Sequence, residues 1–323
     1  MWKIAASLAL AVSACATAPD GGPRPPEDGY ANPVLDRDFP DPAVLRVPGG
    51  WFYAYATQSA SGDGFLNIQV ARSRDLVHWE HLGDALPVKP RWAADTQAFW
   101  APHVLYDGLQ DRYFMYYSAE RDAAKGKCLG VATAAAAAGP FADSGSPLLC
   151  GEGIETIDPM AFDDPKTGRR LLFWGSGSKP IRAQELAADR LRFLPGSAPR
   201  ELIFPDAGKR YRSLVEGAWT VYRDGSYFLF YSGDRCCASE RVYAVMVARA
   251  QDALGPYEER DAPILETGGA WLAPGHASVI ADESGSDWIL YHATPAQAQD
   301  RRRVLLLDRL VYRDGWPALA GRR

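Results

Sequence analysis

The sequence predicts an all-β fold, a five-bladed β-propeller. Three observations carry that prediction. An aromatic, strand-like run recurs five times at a spacing of about sixty residues. A second strand-like segment follows each run, and no long stretch keeps a helical period. A β-sandwich of the same length would show turn signals but would leave the five-fold spacing without a cause.

The runs are "WFYAYAT" from Trp51, "YFMYYSA" from Tyr113, "LLFWGSG" from Leu171, "YFLFYSG" from Tyr227 and "WILYHAT" from Trp288. Turn signals precede them: "PGG", "DGLQD", "DPKTG", "RDGS" and "SGSD". The segments that follow are "LNIQVARS", "CLGVATA", "PIRAQEL", "YAVMVARA" and "RVLLLDRL". Five units of four strands account for residues 32–318, and the propeller domain is assigned to 32–323.

The ends and the composition bound the setting. Residues 1–14 read as an export signal: Lys3, an apolar run from Ile4 to Val12, then small residues. The run is too short to cross a bilayer. Val12-Ser13-Ala14-Cys15 resembles a bacterial lipobox, which implies cleavage before Cys15 and lipidation of its thiol. An ordinary signal cut near Ala14 or Ala16 is the plainer alternative. Residues 15–31, rich in Pro, Gly and Ala, read as a tether. The expected location is the bacterial cell envelope, with the membrane touched only through that lipid. The net charge is −5 and no basic block occurs, so nucleic acid is not an expected partner. Cys128 and Cys150 flank one predicted hairpin and suit a disulfide in an oxidising compartment. Adjacent Cys236 and Cys237 form either a vicinal disulfide or a pair of buried thiols. No CxxC pair occurs, which argues against a zinc site.

Ten to thirteen residues upstream of the aromatic runs stand Asp41, His103, Asp158, Glu216 and His276, one per unit. Each lies at the start of its blade's innermost candidate strand. Inner strands line a propeller's channel, so three carboxyls and two imidazoles should converge on one mouth. Asp-Pro is a common turn starter, and Asp41 or Asp158 alone would read as structural. Their shared phase with Glu216 reverses that reading. Three acids in one pocket cannot all ionise freely, so at least one pKa rises. That split supplies an acid and a base together, as glycosidic bond hydrolysis requires. Glu216, among Leu214, Val215, Ala218 and Trp219, suits the protonated acid; Asp41, in the polar turn "DFPDPAV", suits the ionised base.

These residues sit in motifs that resemble glycoside hydrolase family 43, the five-bladed arabinanases, arabinofuranosidases and xylosidases. The motifs are "FPDPAVL" (39–45), "FWAPHVLY" (99–106), "IDPMAF" (157–162), "FWGSGS" (173–178), "VEGAW" (215–219), "APGHASV" (273–279) and "DGWP" (314–317), in the family's order. The resemblance implies Asp41 as general base, Glu216 as general acid and Asp158 as the group that tunes the acid's pKa. It implies inversion, with base and acid about 6.5–9.5 Å apart. It implies that His276 lies beside a calcium or other small ion in the channel, with no cofactor otherwise required. Trp100, Phe39 and Trp219 are candidate sugar walls, and His103 a further candidate substrate contact.

The segment "YSGDRCCASERVYAVMVARA" resembles the arabinanase pattern of a Cys pair followed by a Ser/Thr-Tyr strand, with Arg241-Val242-Tyr243 in place of Ser-Thr-Tyr. The chain also ends with the fifth unit, without the β-sandwich domain that many xylosidases of the family carry. Both features point to α-L-arabinose linkages in plant cell-wall polysaccharide or its oligomers, cleaved by a monomer. The alternatives are a β-D-xylosidase or galactofuranosidase with the same site, or a glycan-binding propeller that does not cut. Arg301-Arg302-Arg303 reads as a solvated loop from which one guanidinium can reach the channel mouth.

Overall fold

The computed structural model describes residues 29–62, 64–237, 240 and 242–321. The export signal, Cys15 and most of the tether lie outside the described residues. Five antiparallel sheets form five blades around a central channel. Blade 1 runs Ala43–Arg46, Phe52–Ala56, Gln69–Ser73, Trp79–Asp84; blade 2 runs Trp100–Asp107, Arg112–Glu120, Lys127–Ala134, Ala142–Asp143. Blade 3 runs Met160–Asp163, Arg170–Trp174, Ile181–Glu185, Arg200–Ile203; blade 4 runs Val215–Arg223, Ser226–Arg235, Val242–Ala250, Glu258–Glu259. Blade 5 runs Trp271–Ala281, Asp287–Pro295, Val304–Arg313, Trp316–Leu319. In each blade the strands are hydrogen-bonded in chain order, innermost first. A small hairpin, Ser59–Ser61 with Gly64–Leu66, interrupts blade 1.

The aromatic runs are the second strands. A second strand has a blade on each face, so both faces are dry and the run has no polar alternation. Tyr227, Phe228, Leu229, Phe230 and Tyr231 are all buried, as are Tyr116, Tyr117, Trp174 and Tyr291. The high aromatic content is therefore mostly core. The turns into these strands are held by acids. The carboxylates of Asp107, Asp164 and Asp282 accept backbone N–H groups two or more residues ahead, which gives the tight Asx turns that follow the inner strands.

Closure does not use a shared strand. Blade 5 takes all four strands from the C-terminal part of the chain, and residues 30–39 cross over it instead. Asn32 donates from Nδ2 to the Leu307 carbonyl at 2.9 Å and accepts the Leu307 N–H at 2.9 Å. Leu35 bridges Leu305, and the Phe39 N–H donates to the Arg303 carbonyl at 2.8 Å. Tyr30, within the segment read as tether, packs its ring edge-on to Trp288 and donates to the Leu307 carbonyl. Asn32→Ala removes two hydrogen bonds at the seam and should cost about 1–3 kcal/mol. Urea denaturation should show a lower midpoint with an unchanged slope; an unmoved midpoint would mean that the seam is held elsewhere.

Candidate active site

The mouth of the channel is built from a repeated turn. Asp41, Ala101, Asp158, Gly217 and His276 all have positive φ, between 46° and 63°. A non-glycine residue there costs about 1–2 kcal/mol, so something must hold it. In four blades the holder is a side chain on or just past the second strand of the preceding blade. It accepts the strained residue's own N–H. His292 Nδ1 accepts from Asp41 at 3.0 Å, Thr57 Oγ1 from Ala101 at 2.8 Å, Ser118 Oγ from Asp158 at 3.0 Å and Ser232 Oγ from His276 at 2.7 Å. Blade 4 differs. Gly217 donates to Asp158 Oδ2 at 2.9 Å, and Ser176, which follows the second strand of blade 3, donates to the Glu216 side chain instead. Glycine suits 217 on two counts: φ is positive, and a Cβ would press to 3.2 Å from His276 Nδ1, so that ring would have to shift.

These turns deliver Asp41, Asp158, Glu216 and His276 to one pocket of about 330 Å³, completed by Thr57, Trp100, Ile154, Ile157, Cys236, Cys237 and Arg303. The carboxyl of Asp41 accepts from Thr57 Oγ1 at 2.5 Å and from Arg303 at 2.9 Å. His276 Nδ1 stands 3.6 Å from Asp41 Oδ1 and 3.7 Å from Asp158 Oδ2. Burial alone would raise the Asp41 pKa, but Arg303, His276 and His292 outweigh it and hold the carboxyl well below its ordinary value. Burial raises Asp158 well above its ordinary value, and the charges of Glu216 and Asp41 add to it. Burial raises Glu216 too, against the hydroxyls of Ser176 (2.5 Å) and Tyr243 (2.8 Å), which donate to its two oxygens. One carboxyl is thus held ionised while the Asp158–Glu216 pair keeps a proton. Burial lowers the His276 pKa, so its ring is neutral at neutral pH.

Three expected sugar contacts are not in the pocket. His103 is buried one layer deeper, where its Nδ1 accepts the Ala161 N–H at 3.3 Å and its ring lies 5.1 Å from Trp219. Burial pushes its pKa down to about 3. The place expected for it belongs to Ala101. Ala101 stands twelve residues before Tyr113 and His103 ten, both within the spacing of the other units, so the offset does not tell them apart; the turn with positive φ falls at Ala101. Trp219 donates to the Val279 carbonyl and packs in the core, and Phe39 is fully buried against the blade 1 and blade 5 strands. Trp100 does line the pocket.

Other pocket groups were not singled out as site residues. Arg303 is the guanidinium of the "RRR" loop that reaches the mouth. Tyr243 belongs to the "RVY" segment, and Ser176 to "FWGSGS". Arg303 and Ser176 act across blade boundaries, and Tyr243 across blade 4 from its third strand. Cys236 and Cys237 are bonded to each other and Cys128 to Cys150. The calcium expected at His276 does not fit these atoms. Calcium takes six to eight oxygen ligands, whereas here a ring nitrogen faces two carboxyls and Arg303 already sits on Asp41. Among the described residues no cluster of His, Cys, Asp or Glu suits a metal.

A propeller with three carboxyls of divided pKa in its mouth defines the class: an enzyme that cleaves glycosidic bonds by acid–base chemistry. Over residues 30–317 the chain matches the model of "Glycosyl hydrolases family 43", and it belongs to that family. It is 28% identical over 314 residues to "Probable arabinan endo-1,5-alpha-L-arabinosidase D" of Emericella nidulans, covering 86% of this chain and 79% of that one. It is 25% identical over 362 residues to "Extracellular endo-alpha-(1->5)-L-arabinanase 2" of Bacillus subtilis, covering 91% and 73%. The fold superposes on a crystal structure of a thermostable family-43 glycoside hydrolase with a TM-score of 0.77 at 28% identity, covering 91% and 96%.

Arg303→Gln removes the strongest charge acting on Asp41. The Asp41 pKa should then rise from its depressed position, since burial would be opposed by fewer charges, read as a carboxyl ¹³C titration. A carboxyl that titrates as before would show that Arg303 does not set its charge.

Proposed function

We propose that the enzyme is an inverting glycosidase acting on α-L-arabinofuranosyl linkages of arabinan or arabino-oligosaccharides. The carrying observation is the division of charge in the pocket: Asp41 pushed down, Asp158 and Glu216 pushed up. Inversion needs an ionised base to take a proton from water and a protonated acid for the leaving oxygen. Asp41 suits the base. Its ion is held by Arg303 and Thr57, which leaves it a weak but permanently available acceptor. Glu216 suits the acid. A hydroxyl can accept as well as donate, so Ser176 can rotate to accept a hydrogen bond from protonated Glu216 and turn back to donate once Glu216 has given that proton to the leaving sugar oxygen. Tyr243, whose own pKa is raised by burial and by Glu216, stays protonated and keeps donating to Oε1. That donation stabilises the carboxylate left after transfer. Asp158 supports Glu216 through the backbone: its Oδ2 accepts the Gly217 N–H and fixes the turn that carries Glu216.

Trp100 offers an aromatic wall to the sugar ring, and the two relatives named for arabinan support arabinose as the sugar. The pocket is at the lower end of the usual range for ligand sites, about 300–1,000 Å³. Residues 1–15 support export and lipidation at Cys15, which would hold the enzyme at a bacterial envelope beside plant cell-wall fragments.

Glu216→Gln keeps the volume and lets the amide accept from Tyr243 and donate to a rotated Ser176, but it supplies no acid. Hydrolysis of linear arabinan and of aryl arabinofuranosides with poor leaving groups should fall about 10²–10⁴-fold, and the first sugar released by the wild type should carry the inverted anomer by proton NMR. Full turnover in Glu216→Gln, or release of the retained anomer, sinks the mechanism; turnover confined to aryl xylosides or galactofuranosides sinks the sugar. For the anchor, metabolic labelling with an alkyne fatty acid should mark the wild type and not Cys15→Ala. An unlabelled wild type would return the segment to an ordinary export signal.

A further inference from the structure

Lys127 is a charged side chain that the chemistry above does not use. It is only 4% exposed and opens the third strand of blade 2. Its ammonium stands 3.4 Å from the centroid of the Trp100 ring and donates to the Ala98 carbonyl at 3.2 Å. It does not itself line the pocket; Trp100 does. The face under the ammonium is therefore closed, and what the ring offers the pocket is its other face or its edge.

The backbone of Lys127 holds the neighbouring wall. Its N–H donates to the Gly153 carbonyl and its carbonyl accepts the Gly151 N–H, both at 3.0 Å. That segment leads to Ile154, which lines the pocket beside Trp100. The Cys128–Cys150 disulfide fixes the same junction one residue on. A buried ammonium is costly, and a Met or Leu would fill the space without that cost. Burial pulls the Lys127 pKa down to about 8, against the opposing charge of Glu120, so the ammonium persists at neutral pH.

We propose that Lys127 is a positioning residue: its ammonium clamps one face of the Trp100 indole and so presents the ring to the sugar as a fixed wall. The inference rests on the pocket being the sugar site. A clamped ring has little rotamer freedom left to lose when the sugar binds. The benefit therefore falls on binding and not on the chemical step.

The test compares Lys127→Met, Lys127→Arg, Trp100→Leu and the Lys127→Met/Trp100→Leu double variant. The substrate is whichever aryl glycoside the wild type cleaves fastest, so an error in the sugar assignment leaves the test standing. Lys127→Met should raise KM about tenfold with kcat within about twofold, in keeping with a desolvated cation–π contact. Lys127→Arg should restore KM to within about threefold, since a guanidinium also stacks on indole. In the double variant KM should equal that of Trp100→Leu alone. Three results overturn the proposal: an unchanged KM in Lys127→Met, no rescue by Arg, or effects that multiply in the double variant. A fall in melting temperature with unchanged KM would assign Lys127 to stability alone. An unchanged KM in Trp100→Leu would remove the wall, and the clamp with it, while leaving the glycosidase reading intact.

Discussion

The site depends on one backbone contact made again and again around the ring. A residue at the start of an inner strand is forced to positive φ, and its N–H is accepted by a side chain from the blade before it. The contact does two things together. It offsets the cost of the strained turn, and it fixes each blade's rotation relative to its neighbour at the level of the pocket. The acids are thereby placed by the packing of blades and not by flexible loops. His292 shows the coupling most directly. Its Nδ1 must stay unprotonated to accept the Asp41 N–H, and burial and Arg303 keep it so by lowering its pKa to about 4.

Blade 4 breaks the pattern where the chemistry asks for it. The strained position there is Gly217, and the preceding blade's Ser176 is released from backbone duty to meet the Glu216 carboxyl. Glu216 precedes the strained residue, whereas Asp41 and Asp158 are the strained residues themselves. Glu216 sits in an otherwise apolar run, Leu214 to Trp219, and the structure accommodates its charge. A hydroxyl from Ser176 of blade 3 and another from Tyr243, on the third strand of blade 4 itself, donate to its two oxygens.

Much of this was legible in the sequence, and the physical reason is uniform. Second strands are dry on both faces, so their aromatic runs announce themselves at a fixed spacing. Asp41, Asp158, Glu216 and His276 precede those runs by similar counts because in each blade the turn at the mouth and the second strand are joined by one inner-strand length and a tight turn. The count does not separate His103 from Ala101, which stand ten and twelve residues before Tyr113, both inside the ten-to-thirteen window; the turn with positive φ, and hence the mouth, falls at Ala101. Phe39 and Trp219 were misplaced for a different reason: an apolar aromatic next to a site residue can point to either side of the turn, and local sequence does not say which. Arg303, Tyr243, Ser176 and Lys127 come from second and third strands or from loops. Arg303 and Ser176 reach Asp41 and Glu216 from the preceding blade, while Tyr243 and Lys127 reach Glu216 and Trp100 from the third strand of the same blade, and neither relation shows in local sequence.

The electrostatics of the mouth follow from where its positive charge comes from. With Arg303 at 2.9 Å from Asp41, the cation is a side chain covalently fixed to blade 5. Its charge is delivered to one carboxyl and only weakly to the others, where burial dominates. A diffuse or central cation would lower all three acids together and leave no proton in the pocket. A cation bound to one side separates them, and separation is what a two-carboxyl mechanism needs. The asymmetry of the seam between blade 5 and blade 1, which residues 30–39 close, is thus the source of the asymmetry among the acids.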